Sequence, residues 1–244
     1  RATVPPLFER THIIVGDEGL ERLQRANIFL AGVGGVGSFV AEALARMGVG
    51  RITLLDHDVV SESNLNRQLP ALRSTVGRKK VEVVAERIRD INPACSLTLR
   101  DEFLRADDVE EVLGNQPYDF VVDAIDSLNS KAGLVATAYR QGFPVASSMG
   151  AGGRMDPRRI VVGDLMDSEN CALARNMRKR LRNRGIGRGI LAVWSNESGC
   201  PPLPPVPTGE GRDRAVNGTV SYMPGLFGLT LAGTVVQKLL EPNR

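Results

Sequence analysis

The sequence predicts an α/β chain: a mainly parallel sheet with helices on both faces, followed by a C-terminal extension with antiparallel strands and a terminal helix. Three observations carry this. Short β-branched runs alternate with amphipathic helical stretches through the first two-thirds of the 244 residues, the pattern of repeated βαβ units. A glycine-rich turn joins the first such run to the first helical stretch. Past Gly150 the alternation gives way to a Gly/Arg-rich turn, a strand, one strongly basic stretch and a second strand.

Taken in order, strands are expected at Asn27–Ala31, Arg51–Asp56, Ser96–Arg100, Phe120–Ala124 and Pro144–Ser147. Helices fit Val36–Met47, Arg78–Arg89, Asp107–Leu113 and Lys131–Arg140. Asn92-Pro93 closes the second of these, because proline disfavours helical geometry in the residue before it. Later come a strand at Ile160–Val162, a basic helix at Asn170–Arg182 and a strand at Leu191–Trp194. Five prolines make Ser198–Arg214 a mobile crossover loop. The apolar stretch Val220–Leu240 holds Pro224, Gln237 and Lys238. It therefore reads as a buried or subunit-interface helix rather than a membrane span, and membrane association is not expected.

Composition narrows the class without deciding it. With 42% hydrophobic and 24% charged residues, the chain is neither disordered nor fibrous. Cys95, Cys171 and Cys200 form no CxxC pair, and no secretory leader occupies Arg1 to Arg10. A disulfide framework and a four-cysteine zinc site are thereby disfavoured, and a cytoplasmic location is expected. The formal net charge is only +3, but Arg175, Arg178, Lys179, Arg180, Arg182, Arg184 and Arg188 crowd one stretch. A solvated helix face is the plain reading of such a run, and a phosphate-backbone contact is the sharper one.

Chemistry is most legible around the first turn. Gly32-Val33-Gly34-Gly35-Val36-Gly37 follows an apolar run and opens a helix, the context that the GxGxxG fingerprint of a Rossmann-like fold requires. Such glycines let the backbone turn tightly and approach a phosphate, whose charge is favoured by free N–H groups at a helix start. Asp56 then ends the second strand, where a carboxylate accepts hydrogen bonds from ribose hydroxyls. Asp56-His57-Asp58 runs into Ser63-Asn64-Leu65-Asn66-Arg67-Gln68 and Gly77-Arg78-Lys79-Lys80. Attack at a triphosphate needs cations on the charge that develops there, so Arg67 and Lys80 favour ATP over a dinucleotide. His57 reads as a spacer facing away from the site, and Asp123 as a strand-end cap.

From Phe8 to Asp126 the chain resembles the E1-like adenylating enzymes. The resemblance implies that Asp56, with Asp58 beside it, binds the ribose end. Asn64, Arg67 and Lys80 would contact the triphosphate with support from Gln68, and Asp126 would associate with Mg2+. Arg10 would reach the triphosphate of a partner subunit, which implies a homodimer. The chain lacks the paired CxxC zinc motif of the sulfur-carrier branch and the cysteine domain of the ubiquitin branch.

Gly35-Val36-Gly37-Ser38-Phe39, Ile91-Asn92-Pro93, Asp123-Ala124-Ile125-Asp126-Ser127 and Gly150-Ala151-Gly152-Gly153-Arg154-Met155-Asp156-Pro157 resemble the tRNA threonylcarbamoyladenosine dehydratases. That likeness implies ATP-dependent cyclisation of the modified adenosine through a carboxyl-adenylate. Arg67, Lys80, Asp126 and Arg10 would be the catalytic set, and tRNA rather than DNA the partner. The basic run would be the tRNA surface, extended by Arg154, Arg158 and Arg159. The alternative is an adenylyltransferase acting on the C-terminus of a small ubiquitin-like or sulfur-carrier protein, and a sulfur-relay or carrier protein stands as a further partner. Residues 1–244 are read as one domain, with the nucleotide-binding core in 1–150 and substrate and dimer contacts in 151–244.

Overall fold

The computed structural model describes residues 3–205 and 216–242. Its strands are β1 (Asn27–Ala31), β2 (Arg51–Leu55), β3 (Ser96–Arg100), β4 (Phe120–Asp123), β5 (Val145–Ser148), β6 (Ile160–Asp164) and β7 (Leu191–Ser195). The helices are α1 (Glu9–Arg25), α2 (Gly37–Arg46), α3 (Lys80–Ile91), α4 (Val109–Leu113), α5 (Leu128–Arg140), α6 (Ala172–Asn183) and α7 (Met223–Leu240). The strands form one sheet in the order β3-β2-β1-β4-β5-β7-β6. All neighbours are parallel except β6, which runs antiparallel to β7.

β1 has parallel partners on both sides and every one of its residues is buried, so it reads as an unbroken apolar run. Its side chains nevertheless alternate. Ile28 and Leu30 join a core with α1, α2, α3 and α7, whereas Phe29 and Ala31 join a second core with α4, α5 and α6. The sheet is thus covered on both faces, as the alternation of elements requires.

One local outcome differs from what the sequence predicts. No helix is expected before the glycine turn, yet α1 is there, with a non-helical kink at Gly16 (φ 69°). Gly16 and Gly19 weaken its helical pattern, and Ile13 and Ile14 are exposed, so its buried residues, Gly19, Leu20 and Leu23, all follow the kink. Of the loop expected at Ser198–Arg214, residues 206–214 lie outside the described residues. Its described part has no regular structure and is tied back by Leu203 N–H donating to the Val216 carbonyl at 3.0 Å.

α7 is the one helix among the described residues that is long and apolar enough to cross a membrane. It packs on α2 instead, with Phe227, Leu231 and Val235 fully buried, each contributing about 1.5–3 kcal/mol relative to exposure. The approach is close at Gly228, where a Cβ would overlap the Val36 carbonyl oxygen and lie 2.9 Å from Phe39 Cβ. Pro224 sits in the first turn, where its missing N–H breaks no helical bond.

Candidate functional site

The strand order reverses between β1 and β4, and in open α/β sheets ligands bind outside the carboxyl ends of the strands at such a point. A cavity of about 730 Å³ lies there, within the roughly 300–1,000 Å³ typical of ligand sites. Loops after β1, β2, β4 and β5 line it in turn, with residues from around α6 and the segment after β7 closing the far side.

The glycine turn forms its floor. Gly32 has φ 91°, and a Cβ there would come within 2.5 Å of the Ala124 carbonyl oxygen, so both conformation and space demand glycine. A Cβ on Gly37 would overlap the Gly32 carbonyl oxygen, which places Gly37 in the packing of turn against helix rather than in the cavity wall. Gly34 and Gly35 line the cavity beneath Gln68 and Arg67 respectively.

Asp56 accepts hydrogen bonds from Val33 N–H and Asp58 N–H, both at 2.9 Å, tying the end of β2 to the glycine turn. Asp58 pairs with Lys80 at 3.6 Å. Arg67 is half-buried over the turn and donates to the Ser63 carbonyl and to Asn66 Oδ1, both at 2.9 Å. Asp56, Asp58, Arg67, Gln68 and Lys80 all line the cavity. Buried Gln68 Oε1 has no partner among the described residues and is available to a ligand donor. Asn64 does not line it: its Oδ1 accepts the Ser61 N–H in a capping box, so it shapes the turn that presents Arg67.

The β4 loop is held from beneath. Asp123 is fully buried, pairs with Lys131 at 2.8 Å, and accepts from Ser147 Oγ at 2.6 Å and from Ile125 N–H at 3.0 Å. Lys131 also donates to the Ile125 carbonyl at 2.7 Å. Asp123 is therefore a strand-end cap, as expected, but also half of a buried ion pair that sequence reasoning misses. Above it, Asp126 is exposed to the cavity and has no ion-pair or hydrogen-bond partner among the described residues.

The structure corrects three expectations. His57 does not face away: it lines the cavity and stands edge-on to Phe103, with ring centroids 5.1 Å apart. Arg154 does not extend a basic surface, because it is buried in the cavity wall and its Nη2 donates to the Asn170 carbonyl at 2.6 Å. The basic run is not one surface either. Arg178 donates to the Ser168 carbonyl and hydroxyl, Arg180 to Asn129, and Arg184 to the Ala132 carbonyl. Arg188 grips Asp167 with two bonds of 2.7 and 2.8 Å and holds that carboxyl below the usual range. Arg175, Lys179 and Arg182 remain as an exposed stripe at helical spacing on α6.

Of the other sequence candidates, Arg10 and Arg158 fall outside the cavity. Arg10 is exposed near the start of α1 and does not line it. Arg158 pairs with Asp156, holding its carboxyl below the usual range. Cys171 caps α6 and Cys200 lies in the loop after β7, both lining the cavity, while burial pushes the Cys95 thiol up to about 11.

Comparison with known proteins gives concordant results. The ThiF family matches residues 8–244. The tRNA threonylcarbamoyladenosine dehydratase of Bacillus subtilis is 38% identical over 241 residues, covering 96% of this chain and 94% of the relative. That of Escherichia coli is 46% identical over 198 residues, covering 78% and 74%. The crystal structure of the E. coli tRNA N6-threonylcarbamoyladenosine dehydratase in complex with ATP superposes with a TM-score of 0.86 at 38% identity, covering 96% of this chain and 93% of that one.

Proposed function

The chain belongs to the ThiF family, and we propose that within it the protein is an ATP-dependent tRNA threonylcarbamoyladenosine dehydratase. The observation that carries this reading is one cavity in which Arg67, Lys80 and Asp126 converge on the glycine turn, in a chain matched over nearly its full length by dehydratases.

The chemistry follows from what a carboxylate lacks. Its leaving group would be oxide, so the threonyl carboxylate must first be activated. A carboxylate oxygen attacks the α-phosphorus of ATP, the α–β bridging bond breaks, and pyrophosphate leaves. The carbamoyl group of the same side chain then attacks the acyl carbon, closing a ring and expelling AMP with the carboxylate oxygen. Water is removed from the substrate while ATP becomes AMP and pyrophosphate. Because both partners of the second step belong to one side chain, orientation alone supplies part of the roughly 7–11 kcal/mol open to well-aligned reactants.

The residues divide the work. Asp56 receives the ribose hydroxyls, the Gly34–Gly35 backbone and the α2 N-terminus approach the phosphates, and Arg67 with Lys80 stabilises charge on the departing pyrophosphate. The Asp126 carboxylate, without a partner among the described residues, fits Mg2+, which is commonly held by one or two carboxylates together with substrate phosphates. The ion would neutralise phosphate charge. Exposed Ile13 and Ile14 next to Arg10 support a homodimer in which α1 meets the partner, and three free cysteines suit a reducing cytoplasm.

The assay is direct. Protein, ATP and Mg2+ are incubated with tRNA carrying or lacking the threonylcarbamoyl group. AMP release only with the modified tRNA, with loss of one water from its nucleoside, is the expected result. AMP release driven instead by a carrier protein ending in Gly-Gly would overturn the reading.

The tRNA surface narrows to the exposed stripe. Replacing Arg175, Lys179 and Arg182 together by alanine is expected to weaken tRNA binding and leave ATP affinity unchanged. The slope of log affinity against log salt should fall by about 0.7–0.9 for each phosphate no longer neutralised. An unchanged slope in a filter-binding titration would remove α6 from the interface.

A further inference from the structure

We infer that Arg154 forms an anion subsite for the substrate carboxylate, at the end of the cavity opposite the nucleotide; this rests on the dehydratase reading above. Sequence alone places Arg154 on an outer surface. The structure leaves it only 9% exposed, in the wall of the cavity that the glycine turn opens.

A buried charge is expected to be paired. Arg154 has no carboxylate partner among the described residues, and its Nε is buried with no hydrogen bond. Glu197 does not neutralise it, because that carboxylate accepts the Met155 and Asp156 amides at 3.0 and 2.9 Å. The one bond that Arg154 makes among the described residues is to the Asn170 carbonyl. Asn170 is the single non-glycine residue with positive φ (54°) among the described residues. A Cβ on Gly199 would overlap the guanidinium, so the loop after β7 closes on it as tightly as backbone allows. The guanidinium is thus held in place with no carboxylate on it, and its Nε–H is left unmet. A guanidinium in the cavity wall without a carboxylate of its own takes an anionic oxygen through its remaining N–H groups.

Its position suits the reaction. Along the sheet, Asp56 follows β2, the glycine turn follows β1, Asp126 follows β4, and Arg154 lies in the segment after β5. Asp56 and the glycine turn, the residues assigned above to ribose and phosphates, lie on the β2–β1 side, which leaves the β5–β7 side for the acceptor. Guanidinium remains charged at all working pH values. An anion held there faces the nucleotide with its reacting oxygen oriented rather than free to turn.

The test compares wild type with Arg154→Met and Arg154→Lys, using tRNA with and without the threonylcarbamoyl group. Arg154→Met is expected to lose roughly 10- to 100-fold in affinity for the modified tRNA, as for loss of a charged hydrogen bond, while binding ATP and unmodified tRNA as wild type does. Arg154→Lys keeps the charge without the fork and should recover only part of the loss. Equal losses for both tRNAs would show that Arg154 holds a backbone phosphate and would overturn the inference, as would no loss at all. Should the methionine variant fail to fold, wild-type binding of the free modified nucleoside against its carboxyl methyl ester decides. Preference for the free acid supports the subsite, and equal binding refutes it. A wild type that releases no AMP with modified tRNA would instead sink the functional reading, which separates the two failures.

Discussion

Lys131→Met is expected to destabilise the protein by about 3–5 kcal/mol, the cost of leaving one member of a buried ion pair without its partner. Lys131 and Asp123 have side chains only 1% and 0% exposed, so no solvent can replace the lost ammonium. Domains are commonly stable by only about 5–15 kcal/mol, so the variant would unfold at markedly lower urea concentration. The Ile125 carbonyl would lose its donor at the same time, loosening the loop that presents Asp126. Adding Asp123→Asn to Lys131→Met removes the uncompensated charge and should recover part of the loss. Equilibrium urea denaturation of the three proteins measures this, and a loss below about 1 kcal/mol for the single variant would refute the role assigned to the pair.

The nucleotide half of the site is legible in the sequence because its residues sit at short, fixed separations around consecutive βα turns. Gly32, Asp56, Arg67 and Lys80 lie within 49 residues of one another, and each is placed by the strand end or turn beside it. Asn64 is found for its type and position but serves the turn, a distinction that spacing cannot make. The acceptor half is illegible for a topological reason. Arg154, Asn170 and Cys200 meet only because β7 inserts between β5 and β6, an order that periodicity does not encode. The basic run misleads in the opposite direction, since charge counts do not say which arginines are spent on Ser168, Asn129, Ala132 and Asp167. Lys131 leaves a usable trace: it precedes Ala132, Gly133, Leu134, Val135 and Ala136, and a lysine beginning so apolar a helical run is a candidate for burial.

Lys80→Met should show the reverse profile to Lys131→Met, with turnover falling about 100- to 1,000-fold, the usual cost of removing one preorganised charge from a transition state, and stability nearly unchanged. Both lysines are buried and both face an aspartate, so the difference lies in the partner. The Lys80 side chain is 6% exposed, but that of Asp58 is 54% exposed and 3.6 Å away. Water solvates Asp58 once the ammonium is gone, and the methionine stem still packs beside the first turn of α3. What disappears is a cation held in the cavity without need of reorganisation when pyrophosphate departs. ATP affinity measured by calorimetry should fall less than kcat, because charge on the leaving phosphate grows between ground state and transition state. If kcat instead survived while ATP affinity and the urea midpoint both dropped, Lys80 would be a structural partner of Asp58. The assignment of these cations to α–β cleavage would then fail with it.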